Sequence, residues 1–178
     1  MDQVFAPWRI EWVEREDGGE IDGCPFCVLP AREADRENRI VARGEHSFVL
    51  LNNYPYNPGH LMIIPDDHVG AWGDLDEATW LDHARMKAWT FEALRAEFGP
   101  DGFNTGMNLG GSAAGGSIDD HLHTHVVPRW NGDTNFMPVV GDTKVIVEAL
   151  ADTYDRLHGA YADLDGAEVV DDDAAVRF

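Results

Sequence analysis

The chain has 178 residues, with 33 acidic against 13 basic side chains and a formal net charge of −20. This length suits one domain whose core needs no disulfides, and two cysteines are too few for a disulfide framework, which favours a reducing, cytoplasmic location. The charge would repel nucleic acid, and the chain shows neither a signal-peptide pattern nor an uncharged apolar run of membrane-spanning length.

We expect a single domain with a core over about residues 20–158. Residues 1–19 form an aromatic arm, for which a helix and an extended conformation both stay open. Residues 160–178 form an acidic tail with weak patterning, which we expect to be partly disordered or draped on the surface.

Within the core, the first elements are short. The polar segment Ala31–Asn38 predicts a short helix. The apolar runs Arg39–Arg43 and Ser47–Asn52, separated by Gly-Glu-His, predict a β-hairpin. A turn-rich segment then leads to another predicted strand, His60–Pro65.

A long amphipathic helix is predicted next. It begins after Asp74 or Asp76, either of which can cap it, and ends near Phe98 before Gly99-Pro100. The apolar side chains at helical spacing predict its buried face: Leu75, Ala78, Leu81, Ala84, Ala88, Phe91 and Leu94.

The remaining core elements are a strand over Phe103–Asn108, a strand that carries the histidines described below, and an amphipathic helix over Thr143–His158. Hairpin-like strands interrupted by one long helix indicate an antiparallel α+β domain rather than a βαβ repeat. The acidic residues are spread along the whole chain, and we hypothesise that they adapt the surface to high intracellular salt, as in a halophilic organism.

Three histidines at alternate positions, His121, His123 and His125, mark the candidate functional site. The residues around them are apolar or β-branched and predict a strand, on which alternate side chains share one face. Three buried imidazoles without a function would cost desolvation and would need polar partners. A functional site is therefore the better interpretation.

The residue types alone leave two kinds of chemistry open. Alternating histidines on a strand can ligate zinc. Alternatively, one imidazole is a nucleophile that its neighbours orient, which suits attack on phosphorus. The preceding glycine-rich loop favours the second possibility, because its backbone N–H groups and Ser117 can hold phosphate oxygens, and Arg129 adds positive charge nearby.

The motif His121-Leu-His-Thr-His125-Val-Val resembles the signature of the histidine triad (HIT) superfamily of nucleotidyl hydrolases and transferases. The resemblance spans about residues 4–158 and is closest to the branch that includes bacterial diadenosine tetraphosphate phosphorylases. It rests on three further segments: Leu51–Pro65, Gly102–Ser117 and His125–Val139. It implies a five-stranded antiparallel sheet with two main helices, paired into a homodimer.

The resemblance also implies roles for single residues. His123 corresponds to the nucleophile, His125 to the neighbour that assists the leaving group, and His60 to a histidine that supports the site from an adjacent strand. Asn52 corresponds to a ribose-binding position, and phosphate binding falls to four residues: Asn108, Gly116, Ser117 and Arg129. Asn52 and Asn108 could instead only cap turns, and His60 could be a buried structural residue.

Two features refine this assignment. Many HIT hydrolases have a Gly-Gln-Ser/Thr-x-x-His loop, but here Gly116 replaces the glutamine and Ser117 lies one residue further from His121, as in the phosphorylase-like branch. In addition, some HIT proteins bind structural zinc through a Cys-x-x-Cys pair and two histidines, and four residues match those positions: Cys24, Cys27, His68 and His121.

The sequence therefore predicts an enzyme that forms a covalent nucleotidyl-histidine intermediate from an adenine dinucleotide and transfers the nucleotide to phosphate. The alternatives are a phosphoramidate or dinucleotide hydrolase of the same family, a nucleotide-binding module without turnover, and a non-enzymatic protein with a metal held by the three histidines.

Overall fold

A single β-sheet positions every residue of the candidate site. The computed structural model describes residues 21–109, 118, 120–133 and 148–178. The strands are β1 (Ile40–Arg43), β2 (Ser47–Leu51), β3 (Leu61–Pro65), β4 (Gly102–Gly106), β5 (Thr124–Arg129) and β6 (Val176–Arg177). They lie in the order β4-β5-β3-β2-β1-β6.

Five of these strands form the predicted antiparallel sheet, and β6 is an addition that the sequence analysis did not predict. β6 pairs in parallel with β1, opposite Ala42 and Arg43, so the sheet is mixed and has six strands. The expectation of a disordered or draped C-terminal tail was therefore wrong for these last residues. Val176 is fully buried, and burying its branched side chain favours the strand.

The helices are α1 (Pro25–Val28), α2 (Asp35–Asn38), α3 (Glu77–Phe98) and α4 (Leu150–Ala162), with 3₁₀ turns at Pro30–Arg32 and Trp72–Asp74. The long helix α3 begins and ends as predicted. Its N-cap Asp76 accepts a hydrogen bond from the Thr79 backbone N–H, and Gly99 ends it in the left-handed conformation. None of the helices among the described residues is long and apolar enough to cross a membrane.

The predicted buried face of α3 was largely wrong. Ala78, Leu81, Ala84 and Ala88 are exposed, although Leu75 and Leu94 are buried as expected. The buried side of the helix is instead partly polar, because its polar side chains have partners inside the protein. It consists of Thr79, Asp82, His83, Met86, Thr90, Ala93 and Leu94.

Asp82 shows why a polar residue lies on that side. Its carboxylate accepts hydrogen bonds from the backbone N–H groups of Glu45 and His46, in the turn of the predicted hairpin. Gly44 makes this close approach possible, since a Cβ there would lie 2.6 Å from an Asp82 carboxylate oxygen.

The second main helix is shifted relative to its prediction. Residues 143–147 lie outside the described residues, Glu148 and Ala149 precede the helix, and α4 continues to Ala162. α3 and α4 pack on one face of the sheet around Val49, Ile63 and Val126. The other face carries Phe48, Met62 and Phe26, and the site histidines lie on this second face.

Candidate functional site

The three histidines lie where the chain enters β5. The prediction that all three belong to a strand was only partly right, because β5 begins at Thr124 and only His125 of the three lies within it. His125 is paired with Met62, which places its side chain on the face opposite the helices. The side chain of His123 points to the same face, and the centroids of the His123 and His125 rings are 4.9 Å apart.

The tautomer of His123 is set by the backbone. Its Nδ1 lies 3.0 Å from the carbonyl oxygen of His121. A carbonyl oxygen can only accept, so Nδ1 carries the proton and donates it. In the neutral ring the lone pair is therefore on Nε2, which is the atom that can act as a nucleophile. The ring is buried, and Phe26 packs against it with a centroid distance of 5.1 Å.

His60 and His125 form a second, complementary pair. The backbone N–H of Tyr56 donates to Nδ1 of His60, so the neutral His60 ring carries its proton on Nε2. That nitrogen lies 3.0 Å from Nδ1 of His125 and donates to it. His125 consequently carries its own proton on Nε2 and can donate it to an oxygen atom. Tyr56 also stacks on His60, with a centroid distance of 4.9 Å.

The third histidine, His121, belongs to a different cluster. Its Nδ1 lies 3.3 Å from Sγ of Cys24, and the Nδ1 of His68 lies 3.1 Å from Sγ of Cys27. The four donor atoms all lie within 4.8 Å of one another, so these residues could hold a metal ion. These two Nδ1–Sγ distances are close to the distance of about 3.3–3.8 Å that separates the ligand atoms of a tetrahedral zinc ion.

In both histidines of this cluster, Nε2 faces an oxygen atom and Nδ1 faces a thiol. Nε2 of His121 donates to the Pro65 carbonyl oxygen over 2.9 Å, and Nε2 of His68 lies 3.5 Å from a carboxylate oxygen of Asp120. Nδ1 of His121 thereby keeps its lone pair for a metal ion, as in many metal sites. Burial also lowers the pKa of His121, which favours the neutral form that a metal requires.

Two further predicted site residues, Arg129 and Asn52, make hydrogen bonds to other parts of the protein. Arg129 lies four residues beyond His125, about 13 Å along the strand, and its guanidinium pairs with Asp133 over 2.6 Å. Asn52 is buried; its Oδ1 accepts from the Tyr54 backbone N–H and its Nδ2 donates to Met62. For both residues, a nucleotide contact stays a prediction.

The remaining predicted residues lie in or beside the glycine-rich loop. Asn108 follows β4 and is half-buried. Gly116 and Ser117 lie outside the described residues.

Sequence reasoning missed two residues of the site, Phe26 and Tyr56. Phe26 contacts His121 as well as His123, with its ring edge-on to His121. The only sequence signal was its position between Cys24 and Cys27, which ties it to the four residues that could hold a metal ion. Tyr56 acts through its backbone N–H, and no side-chain pattern can reveal that.

Comparisons of the sequence with known proteins find a family match and related proteins. A family model described as the HIT domain matches residues 33–132. An AP-4-A phosphorylase from Mycobacterium tuberculosis is 41% identical over 162 residues, which cover 86% of this chain and 80% of that protein. A Bacillus subtilis protein named Protein hit is 33% identical over 117 residues, 65% of this chain and 77% of that protein.

Two solved structures have a fold similar to that of this chain. A zinc-bound histidine triad family protein from Mycobacterium smegmatis superposes with a TM-score of 0.64 at 26% identity, covering 80% of this chain and 96% of that chain. A hypothetical histidine triad nucleotide-binding protein from Sulfolobus tokodaii superposes with a TM-score of 0.61 at 28% identity, covering 78% and 89%.

The ion pair of Arg129 predicts a defined acid sensitivity. The hydrogen bonds from Arg129 hold the pKa of Asp133 at about 2, below its ordinary value of 3.8. A lowered pKa stabilises the fold above about pH 4, and this contribution is lost as the pH falls toward 2. Asp133→Asn should cost about 2 kcal/mol at pH 7, and the difference from wild type should shrink between pH 4 and 2 in urea denaturation.

The exposed Asp165→Asn variant controls for the loss of one negative charge. If Asp133→Asn and Asp165→Asn behave alike across this pH range, Asp133 does not form the ion pair described here.

Proposed function

Because the chain belongs to the HIT family, we propose that it transfers a nucleotidyl group from a dinucleoside polyphosphate through a covalent intermediate on His123. The 41% identity to AP-4-A phosphorylase over most of both chains makes this protein an enzyme of the family. The name of that relative supports diadenosine tetraphosphate as the substrate class and phosphate as the acceptor.

One observation supports this proposal above all others: the two neighbouring rings carry opposite functions at Nε2. His123 offers a lone pair there because its Nδ1 donates to a carbonyl, and His125 offers a proton there because its Nδ1 accepts from His60. The ring centroids are 4.9 Å apart, and in the proposed reaction one phosphate group contacts both Nε2 atoms.

The first step of the proposed reaction uses both rings. Nε2 of His123 attacks the α-phosphorus, so an N–P bond forms and the P–O bond to the leaving polyphosphate breaks. The Nε2–H of His125 donates to the phosphate oxygens and stabilises the charge that develops on the leaving oxygen. With diadenosine tetraphosphate, ATP leaves and AMP stays bonded to His123.

The second step decides the product. If an oxygen of inorganic phosphate attacks the phosphorus, the N–P bond breaks and ADP is released; if water attacks, the product is AMP. The proposed phosphate ligands Asn108, Gly116 and Ser117 come from the segment that differs from the common glutamine-containing loop, and we propose that this segment favours phosphate. Asn52 would hold the ribose and Arg129 would add charge, as the family resemblance implies.

Product analysis tests the proposal directly. Incubation with diadenosine tetraphosphate should give ADP and ATP in the presence of phosphate, and the rate should depend on phosphate concentration. His123→Ala should lower kcat by roughly 10³-fold or more, since a covalent step cannot proceed without its nucleophile. His46→Ala, at an exposed histidine of the β1–β2 turn, is the matched control and should retain full activity.

A loss of less than about tenfold in His123→Ala would refute the nucleophile. Formation of AMP and ATP at a rate independent of phosphate would identify a hydrolase instead.

We also propose that the cluster of Cys24, Cys27, His68 and His121 binds one structural zinc ion. The donor set of two thiols and two imidazoles is the one zinc prefers, and the zinc-bound relative from Mycobacterium smegmatis supports the choice of metal. A reducing cytoplasm would keep both cysteines in the form that binds. The ion would tie α1 and Phe26 to the start of β5.

Metal analysis of the purified protein should find one zinc per chain. His68→Ala should lower the zinc content and the melting temperature, because bound metal contributes directly to folding stability, whereas His46→Ala should change neither. Zinc content far below one per chain in the wild type would exclude this site.

We also propose that the chain forms a homodimer through the sheet edge at β4. β4 pairs with β5 on one side and lies last in the sheet order of the described residues. Its other side presents backbone groups to which a second copy can add a strand. The family resemblance implies a continuous sheet of this kind, and size-exclusion chromatography with light scattering measures it.

A further inference from the structure

The geometry assigns His83, on the far side of the sheet from the site, a positioning role for the two reacting histidines, which it exerts through a hydrogen bond to Thr124. This inference rests on the proposed function and names a residue that acts from behind the strand. No part of the sequence pattern pointed to His83.

His83 is a fully buried residue on α3. Its Nε2 lies 2.8 Å from the hydroxyl oxygen of Thr124, which is itself buried. The ring of Trp72 packs edge-on against it, with a centroid distance of 5.4 Å. Burial, with a smaller effect of Lys87, lowers the pKa of His83 to about 4, so the ring is neutral near pH 7.

Thr124 occupies the position between His123 and His125 and points to the opposite face. It is paired with Ile63, whose side chain lies in the core under α3 and α4. Adjacent residues of a strand point to opposite faces, so fixing the Thr124 side chain from behind also fixes the backbone that carries both imidazoles.

The hydrogen bond to His83 holds the chain directly after His123, at the residue where the strand pairing begins. The pairing of β5 with β3 covers Thr124, His125 and Val126, and does not include His123. Just before the strand, the N–H of Leu122 donates to the carbonyl oxygen of Val69 over 2.7 Å. The nucleophile therefore lies between that contact and Thr124, where the chain is held both by the pairing with Ile63 and by the hydrogen bond to His83.

A purely structural role would explain the choice of histidine poorly. Among the described residues, Nδ1 of His83 is buried without a hydrogen-bond partner. An unpaired buried polar atom destabilises a fold, and an apolar side chain of similar size would avoid it. The buried Nδ1 thus lowers the stability of the fold, whereas the described hydrogen bond of the same ring, from Nε2 to Thr124, contacts the strand that carries the proposed catalytic histidines.

Four variants separate positioning from packing. His83→Leu and Thr124→Val each remove the hydrogen bond, and each should lower kcat on diadenosine tetraphosphate by about ten- to a hundredfold with little change in KM. The double variant should be no slower than either single one, because both act through the same bond. His83→Gln keeps a polar nitrogen in reach of Thr124 and should recover most of the rate.

The matched control is His158→Gln. His158 is also a buried histidine, bonded through Nε2 to the carbonyl oxygen of Ala174 on another part of the fold. This substitution should leave kcat unchanged, and any loss of melting temperature in it measures what a lost buried imidazole costs in packing alone.

NMR of histidine-labelled protein provides a readout that does not depend on turnover. In His83→Leu and Thr124→Val, the ring signals of His123 and His125 should shift, and in His158→Gln they should stay in place. Unchanged ring signals together with kcat within about twofold of wild type would overturn the positioning role. Shifted signals in a protein whose wild type does not cleave the dinucleotide would refute the proposed function and leave the positioning role standing.

Discussion

The hydrogen bonds between backbone groups and imidazole rings are the interactions on which this site depends. A neutral imidazole has one donor and one acceptor nitrogen, and their assignment decides whether a ring can attack or can donate a proton. Here the Nδ1–H of His123 donates to a backbone carbonyl oxygen, and the N–H of Tyr56 donates to Nδ1 of His60. The fold thus gives adjacent rings opposite chemical functions through hydrogen bonds with backbone groups and between the rings.

The same kind of hydrogen bond links the cluster that could hold a metal ion to the proposed nucleophile, His123. His121 contributes its side chain to the cluster with Cys24 and Cys27, while its carbonyl oxygen accepts from His123. Its remaining nitrogen donates to Pro65, at the end of the neighbouring strand β3. A shift of His121 would therefore disturb a proposed metal ligand and the proposed nucleophile together, so a metal ion bound by this cluster would influence the position of His123.

Much of the fold was accessible from local sequence patterns. The hairpin of β1 and β2, the strand β3 and the ends of α3 followed from apolar runs, turn residues and caps, and the structure confirms them. The buried face of α3 did not follow, because apolar periodicity cannot show that Asp82 and His83 have partners inside the protein. β6 was missed because two residues at the end of an acidic tail carry no pattern of their own.

The site was predictable where side chains carry the chemistry. The grouping of Cys24, Cys27, His68 and His121 followed from the family resemblance, and the structure brings their donor atoms together. The ion pair of Arg129 with Asp133 did not follow, because it depends on a turn whose shape the residue types do not specify. The contribution of backbone groups such as the Tyr56 N–H depends on the tertiary fold alone.

The assigned protons are tested most directly by measuring the tautomers of His60, His123 and His125 near neutral pH. Long-range nitrogen–proton NMR correlations on histidine-labelled protein provide this measurement. The observed hydrogen bonds require a proton on Nδ1 of His123 and on Nε2 of both His60 and His125. A proton on Nε2 of His123 would contradict this assignment, because that ring could then not attack phosphorus through Nε2.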